Sequence, residues 1–544
     1  MVKFTAGYDK LMLSNKKIFV GRNAGHFYGE EIPMRIHTYA LAAAALFVAA
    51  VPAMAQKSKD TVRLAINDPF TNVSSYCIPA VEVGNFARRV YSTLIGFDEY
   101  KSKFVPILAK SWKRINKTTL ELELKDDIKF HNGNKFDADD IIATFGFLQD
   151  PKVKIRYKSR YKWLKTIEKL SPYKVRLIAG RPTATDLSQL AYRIQIQDAE
   201  SYKTLDAPCD YGRKTPYGTG PFKVVSVDRN KGVIVERFEG FTANPHYLRA
   251  RVKRVHGIPI ADRQTQAAEL LTGGIDLIQN VPADNARDLG TRAHINITTH
   301  PTGAFIYIVM DAKGRTKNKA LQDKRVRRAI IMALDRDTII KHIVPGGDTG
   351  HSKKMMGFCF DYMVGCKYSV DPPSYDPAGA KKLLAEAGYP NGFDLEYTVF
   401  NPIKTVGEAI AGELRKVGIR TKVKPVTIGV FYKTWVGGKT EMVSVNYPAF
   451  TFPDSGNLLG TFFGGPRDYT GSKIVQQAMK DGGAEFDVAK RAAIYEKAFN
   501  DINRESYALA FSSLSTVFAH SKDLEIKRDR LARGAYFIND YQWK

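Results

Sequence analysis

Apolar and polar residues alternate strictly over Thr119-Leu-Glu-Leu-Glu-Leu124, the period of a half-buried strand. Thr61–Ile66, Lys174–Ile178 and Ile275–Ile278 also read as strands. Gly220–Val227 and Gly232–Phe238 flank an Asp-Arg-Asn-Lys turn and read as a hairpin. Elsewhere the period lengthens to that of a helix. Apolar residues at 83, 86/87, 90/91 and 94 make one face over Val83–Leu94. Asp137 stands as an N-cap before an acidic first turn and an apolar run, as the positive end of a helix favours. Arg263–Leu271 stops at Gly273-Gly274, and Arg325–Leu334 has core positions 326, 330 and 334. Pro377–Ala387 ends at Gly388, with proline near its first turn. Thr405–Val417 ends at Gly418 and leads into a strand, Ile419–Val423, and Lys490–Asn503 is a late helix. Helices alternate with strands and hairpins are interspersed, which predicts an α/β fold with mixed sheets.

One apolar run does not belong to that pattern. Tyr39–Val51 follows Arg35 and His37 and precedes Ala53-Met-Ala55, the layout of a cleavable secretory signal. Its 13 or so residues fall short of the ~20 that a membrane span needs. Cleavage is expected near Ala55/Gln56, which implies export from the cytoplasm. Residues 1–33 would make an unusually long leader, and Met34 is a plausible alternative start.

Composition alters the picture in one respect. Of 544 residues, 44% are hydrophobic and 25% charged, values of an ordinary folded protein with two to four domains. The net charge is +26; without residues 1–55 it is 76 − 53 = +23. Such an excess raises nucleic acid or an anionic surface as partners. Export turns the expectation to the envelope, and no nucleic-acid partner is expected. Four cysteines, Cys77, Cys209, Cys359 and Cys366, all follow the signal. An even number in an exported chain suggests disulfides, with Cys359 and Cys366 the favoured pair across a short loop and Cys77 with Cys209 as the remainder. There is no CxxC motif and the histidines are scattered, so no metal or cofactor is expected. No G-x-S-x-G elbow or nucleophile–base set is present, and an enzyme is not expected.

Six spaced segments carry a family resemblance. They are Phe104-Val-Pro-Ile-Leu-Ala-Lys-Ser-Trp112; Asp127-Ile-Lys-Phe-His-Asn-Gly133 with Ala138-Asp-Asp-Ile141; Gly218-Thr-Gly-Pro-Phe222; Ala268–Asp276; Asp323–Ala329 with Ala333-Leu-Asp-Arg336; and Asp376–Phe393. In this order and spacing the chain resembles the family 5 extracellular solute-binding proteins of ABC importers, the dipeptide, oligopeptide and nickel group. Read by themselves, the motifs shape the scaffold. Trp112 is expected in the core, His131 in the turn before Asn132-Gly133, and Arg327 and Arg336 in ion pairs inside the C-terminal half.

The resemblance implies two lobes with a hinge and an extra subdomain in the first. The first lobe would hold 56–312, with the inserted subdomain about 100–204, and 513–544 would return to it. The second lobe would be 313–512. A small-molecule or short-peptide solute would be captured between the lobes by a monomer and passed unchanged to a transmembrane ABC permease complex. Carried over position by position, the ligand contacts are Val81, Tyr157 or Tyr161, Tyr432, Trp435, Lys439, Asn446, Tyr447, Phe450 and Thr451. Peptide-binding relatives have an aspartate where Thr451 stands, to meet a free amino group. Asp454 is the nearest acid. Either Asp454 substitutes or the solute lacks that amino group, since a buried ammonium needs an anion. A peptide or peptide-like solute, an opine and another anionic or glycosidic solute all stay open. So does an envelope chaperone or adhesion role on the same fold. A nickel chelate is disfavoured because no histidine lies in 432–459.

Overall fold

The computed structural model describes residues 60–67, 69–78, 81–155, 158–244, 248–447, 454–527 and 537–544. The signal segment, Tyr157, Phe450 and Thr451 lie outside the described residues, as does the side chain of Val81.

The first strand is where the alternation places it. β1 (Thr61–Ile66) buries Val62, Leu64 and Ile66 against the apolar face of the helix Val81–Val90, where Val83, Phe86, Ala87 and Val90 have no exposed surface. β2 (Ile95–Asp98) and β3 (Lys103–Pro106) form a short antiparallel ribbon. It leads into a separate four-stranded sheet made of β4 (Ala109–Asn116), β5 (Thr119–Leu124), β6 (Leu164–Ser171) and β7 (Lys174–Ala179), in the order β4-β5-β7-β6. Leu120, Leu122 and Leu124 point into a core shared with Ile141, Phe145 and Leu148 of the helix Ala138–Gln149. On the other face Glu121 meets Arg176 at 2.7 Å. Asp137 caps that helix, and Asp140 answers from its first turn by accepting the Asp137 N–H at 2.9 Å.

The resemblance motifs turn out to be joints of the scaffold. His131 accepts the Gly218 N–H at Nδ1 (3.1 Å), and its Nε2 lies 2.9 Å from the Gly220 carbonyl, which fixes a neutral ring protonated at Nε2. The 218–220 turn in turn presses on the end of the helix Val81–Val90. A Cβ on Gly218 would sit 1.9 Å from the Val90 carbonyl oxygen, so only glycine fits. Trp112 packs half-buried against the subdomain core. Asp276, fully buried, accepts from the Arg63 backbone N–H and guanidinium at 2.8–3.0 Å, locking β1 to the segment that closes the Ala268–Asp276 motif.

β8 (Phe222–Asp228) and β9 (Gly232–Arg237) are the expected hairpin, and β10 (Arg254–Pro259) and β11 (Leu277–Gln279) flank β1 in parallel. Then comes β12 (Ile295–Met310), followed by β13 (Asp394–Phe400), β14 (Arg420–Val426), β15 (Met442–Tyr447) and β16 (Ala508–Ser521). All ten form one sheet, ordered β14-β13-β15-β12-β16-β11-β1-β10-β9-β8. β12 and β16 pair from Ile295↔Ser521 to Val309↔Ala508, with register shifts between Pro301 and Phe305 and between Ile306 and Tyr307. Near one end β16 pairs β11 through Phe518–His520; near the other β12 pairs β15 through Phe305–Met310.

Beyond that point the sheet is buried on both faces. Ile306, Ile308 and Met310 enter one core with the helices Lys324–Met332, Pro377–Glu386 and Lys404–Lys416. Phe305, Tyr307 and Val309 enter another with Phe431, Trp435 and Phe462. A two-sided strand reads as a continuous apolar run, so the alternation that marks β5 is missing from it. The C-terminal segment returns to β1. Phe518, Leu524 and Tyr541 join its core, and Trp543 donates to the Thr61 carbonyl at 3.2 Å.

The arginine pair differs from expectation. Arg327 donates to the carbonyls of Leu321, Gln322 and Glu505, and Arg336 to those of Met355, Ala510 and Phe511. They satisfy backbone acceptors at element ends, where the fork of guanidinium donors can serve several carbonyls at once.

The cysteines pair as Cys77–Cys209, 132 residues apart, and Cys359–Cys366, seven apart. Loop closure stabilises more for the longer loop, by roughly 5 against 2.5 kcal/mol in the chain-entropy treatment. Replacing Cys77 and Cys209 by serine is therefore expected to lower the urea midpoint about twice as far as the Cys359/Cys366 double replacement. His131 supplies a pH dependence. Burial pushes its imidazole down to about 4. The unfolded chain takes up that proton near pH 6.5 and the folded chain does not, so stability falls as pH drops from 6.5 towards 4. Denaturant titrations are expected to show a loss of about 2–3 kcal/mol over this window that His131→Gln lacks.

Candidate functional site

Two sets of side chains from different cores meet along a seam. The first comes from the four-stranded subdomain and the helix Asp186–Tyr192; the second comes from the helix Ser455–Phe463 and the segment 483–491. The Ala184 N–H donates to the Gly483 carbonyl at 3.0 Å, and Arg491 returns a bond to the Ala184 carbonyl at 2.8 Å. The Arg114 guanidinium lies 4.3 Å from the Phe486 ring centroid and is held by Asp186 at 2.7 Å. The loop bracketed by Cys359–Cys366 also reaches across, with Val364 packed against the subdomain core.

At the centre of the seam, Arg193 donates to Asn457 Oδ1 at 2.7 Å and to Gln189 Oε1 at 2.9 Å. Asn457 Nδ2 donates to the Tyr447 hydroxyl at 3.0 Å. Arg88 lies 5.7 Å from the Tyr192 ring centroid, and the Tyr192 hydroxyl donates to Glu99 at 2.8 Å. The charges of Arg88, Arg160 and Arg193 all act on Tyr161. Burial lowers Arg88 and Arg193 to about 10, so both stay charged at neutral pH, and the same burial raises the Tyr161 and Tyr447 hydroxyls.

The expected contact residues are distributed unevenly around this seam. Tyr161 is buried, edge-on to Tyr76 at 5.8 Å. Tyr447 is half-buried beside Asn457, and Tyr432 is half-buried and stacked on Trp435. Trp435 itself has no exposed surface, being packed among Phe431 and Tyr307. Asn446 and Tyr447 are neighbours on β15 and point to opposite faces of the sheet, so they do not line one surface. Lys439 is exposed in the turn after the helix Ile428–Val436. Asp454 is fully buried. It caps the helix Ser455–Phe463 through the Gly456 N–H at 2.9 Å and lies 3.2 Å from Arg491. Burial raises its carboxyl, with Arg491 opposing. Its carboxylate faces the Arg491 guanidinium. Arg88, Arg160, Arg193 and Asn457 went unnoticed in the sequence, where none of them falls in a recognisable motif.

Residues 103–470 match the model of the bacterial extracellular solute-binding proteins, family 5 Middle. The chain belongs to this family. Among the relatives of this solute-binding protein is the glutathione-binding protein GsiB of Pectobacterium atrosepticum, 27% identical over 406 residues, covering 73% of this chain and 75% of that one. The periplasmic binding protein DppA of Helicobacter pylori, solved with the peptide STSA, superposes with a TM-score of 0.71 at 22% identity, covering 89% and 98% of the two chains. AgaA from A. tumefaciens R10, solved with agropinic acid, gives 0.70 at 21% identity over 89% and 99%. These superpositions establish the two-lobed binding-protein fold. Among the described residues of this family member, no helix is long and apolar enough to cross a membrane, and no three His, Cys, Asp or Glu side chains gather to hold a metal.

The buried pair Asp454–Arg491 joins the helix cap to the seam. Arg491→Met leaves a buried carboxylate without its cation and is expected to destabilise the protein by about 3–5 kcal/mol. Adding Asp454→Asn is expected to recover a large part of that loss in denaturant titrations, which checks that the penalty comes from the orphaned charge.

Proposed function

We propose that this solute-binding protein is the periplasmic receptor of an ABC importer, exported by a cleavable signal and monomeric. It closes two lobes on a small peptide-like or opine-like solute and presents the closed form to a transmembrane permease. The observation that carries this reading is the Arg193–Asn457–Tyr447 chain of hydrogen bonds, which links side chains of the two cores across one seam. The sheet supplies a matching pivot. β12 and β16 are the proposed hinge strands, bending where their register shifts between Pro301 and Phe305. The proposed second lobe is then 313–512 together with the far half of β12. Hinge closure of this kind couples ligand capture to a change of shape without covalent chemistry.

The reading draws support from the relatives, whose names and bound molecules span glutathione, a tetrapeptide and agropinic acid. Tyr432 and Tyr447 are the proposed aromatic contacts, with Lys439 at the margin. Val81, Tyr157, Phe450 and Thr451 join the proposed lining by their place in the family pattern. Trp435, Tyr161 and Asp454 support it from behind.

Small-angle scattering and thermal unfolding against a panel of short peptides, glutathione and opines test the proposal together. A ligand at 100 times its dissociation constant is expected to contract the radius of gyration and to add about 2.7 kcal/mol of stability. Tyr432→Ala and Tyr447→Ala are expected to remove both effects while leaving the unliganded melting temperature within a few degrees. Scattering and melting that no panel member moves would refute the receptor reading.

A further inference from the structure

A second set of contacts crosses the seam, and the charges on each side of it are paired within that side. On the side of the proposed first lobe, the turn before the helix Asp186–Tyr192 offers both backbone groups of Ala184, and Arg114 of β4 is held by buried Asp186 at 2.7 Å. On the side of the proposed second lobe, the last turn of the helix Lys473–Ala484 offers the Gly483 carbonyl, Phe486 follows it, and buried Arg491 faces Asp454 at 3.2 Å. Three contacts run between the sides. The Ala184 N–H donates to the Gly483 carbonyl at 3.0 Å, Arg491 donates to the Ala184 carbonyl at 2.8 Å, and the Arg114 guanidinium lies 4.3 Å from the Phe486 ring centroid.

Resting on the receptor reading above, we propose that this patch is a closure latch: Arg114 and Ala184 meet Gly483, Phe486 and Arg491 to hold the lobes together, so that a fraction of the protein is closed before any solute arrives. The ion pairing explains why the latch releases. Parting the lobes leaves Arg114 with Asp186 and Arg491 with Asp454, so no buried ion loses its partner. What is lost is two hydrogen bonds to backbone groups and one cation–ring contact, and water replaces each at small cost. None of the five residues belongs to the proposed solute lining. The latch is nevertheless tied to the centre of the seam. Asp454, the partner of Arg491, caps the helix Ser455–Phe463, and Asn457 of that helix accepts from Arg193. Contacts that favour the closed form without touching the solute raise the apparent affinity for every solute by one common factor.

Spin-label distance measurements on the unliganded protein test the latch. All four cysteines are in disulfides, so labels attach only where cysteine is introduced. Lys117→Cys, exposed in the turn after β4, and Lys480→Cys, exposed on the helix Lys473–Ala484, put one label on each side. With Phe486 intact, two distances are expected, the shorter held by at least about a tenth of the molecules. Phe486→Ala and Phe486→Leu are expected to lower the short-to-long ratio about threefold, and Phe486→Tyr, which keeps the ring face, to leave it unchanged. Melting temperatures monitor folding, and Phe486→Leu, which keeps apolar bulk, decides the matter if Phe486→Ala unfolds. A single distance with Phe486 intact, a ratio that the leucine variant leaves unchanged, or a tyrosine variant that loses as much as the leucine one would overturn the latch. Contraction on the scattering panel decides the receptor reading separately, so that contraction together with any of these three results removes the latch alone.

Discussion

The antiparallel pairing of β12 with β16 is the constraint on which the molecule is built. These two strands are the longest in the sheet, at 16 and 14 residues, and within that sheet the strands on the two sides are joined through them. An antiparallel ladder is stiff where its register is regular and bends where it is interrupted. Here the interruption lies between Pro301 and Phe305, and proline lacks the N–H a continuous ladder would use. On the proposed hinge, one continuous sheet contains both platforms and the place where they turn relative to one another.

The segments that mark the family work away from the seam. His131 with Gly218 and Asp276 with Arg63 each close a joint between chain segments through hydrogen-bonded polar groups. Such joints tolerate little change, because an unmade buried hydrogen bond is costly. The seam is assembled differently. Arg193, Asn457 and Tyr447 come from elements with no shared motif, and the surrounding cores hold them in place whatever their identity. A fixed scaffold with an unconstrained lining allows one architecture to serve relatives with different ligands.

Charge follows the same division. Arg327 and Arg336 are buried on backbone carbonyls, and Arg491 on Asp454, so these cations are part of the architecture. Arg193 stands where the two cores face each other, donating to Asn457. The overall excess of basic residues therefore has more than one origin: structural forks, a solvated surface, and single cations bonded across the seam.

The sequence by itself determined the local elements and the scaffold. The alternation of β5, the Asp137 cap, the glycine stops at 273, 388 and 418, and the spaced motifs each depend on residues close together in the chain. Periodicity and turn chemistry are local, so they can be read without coordinates. The two cysteine pairs are named from their number and the short loop between Cys359 and Cys366, and the structure forms both; the carbonyl partners of Arg327 and Arg336 depended on how distant segments pack. So did the meeting of Arg193 with Asn457, 264 residues apart in the chain. Only the tertiary structure decided these, because a contact between remote segments is set by the cores that bring them together and leaves no period in the chain.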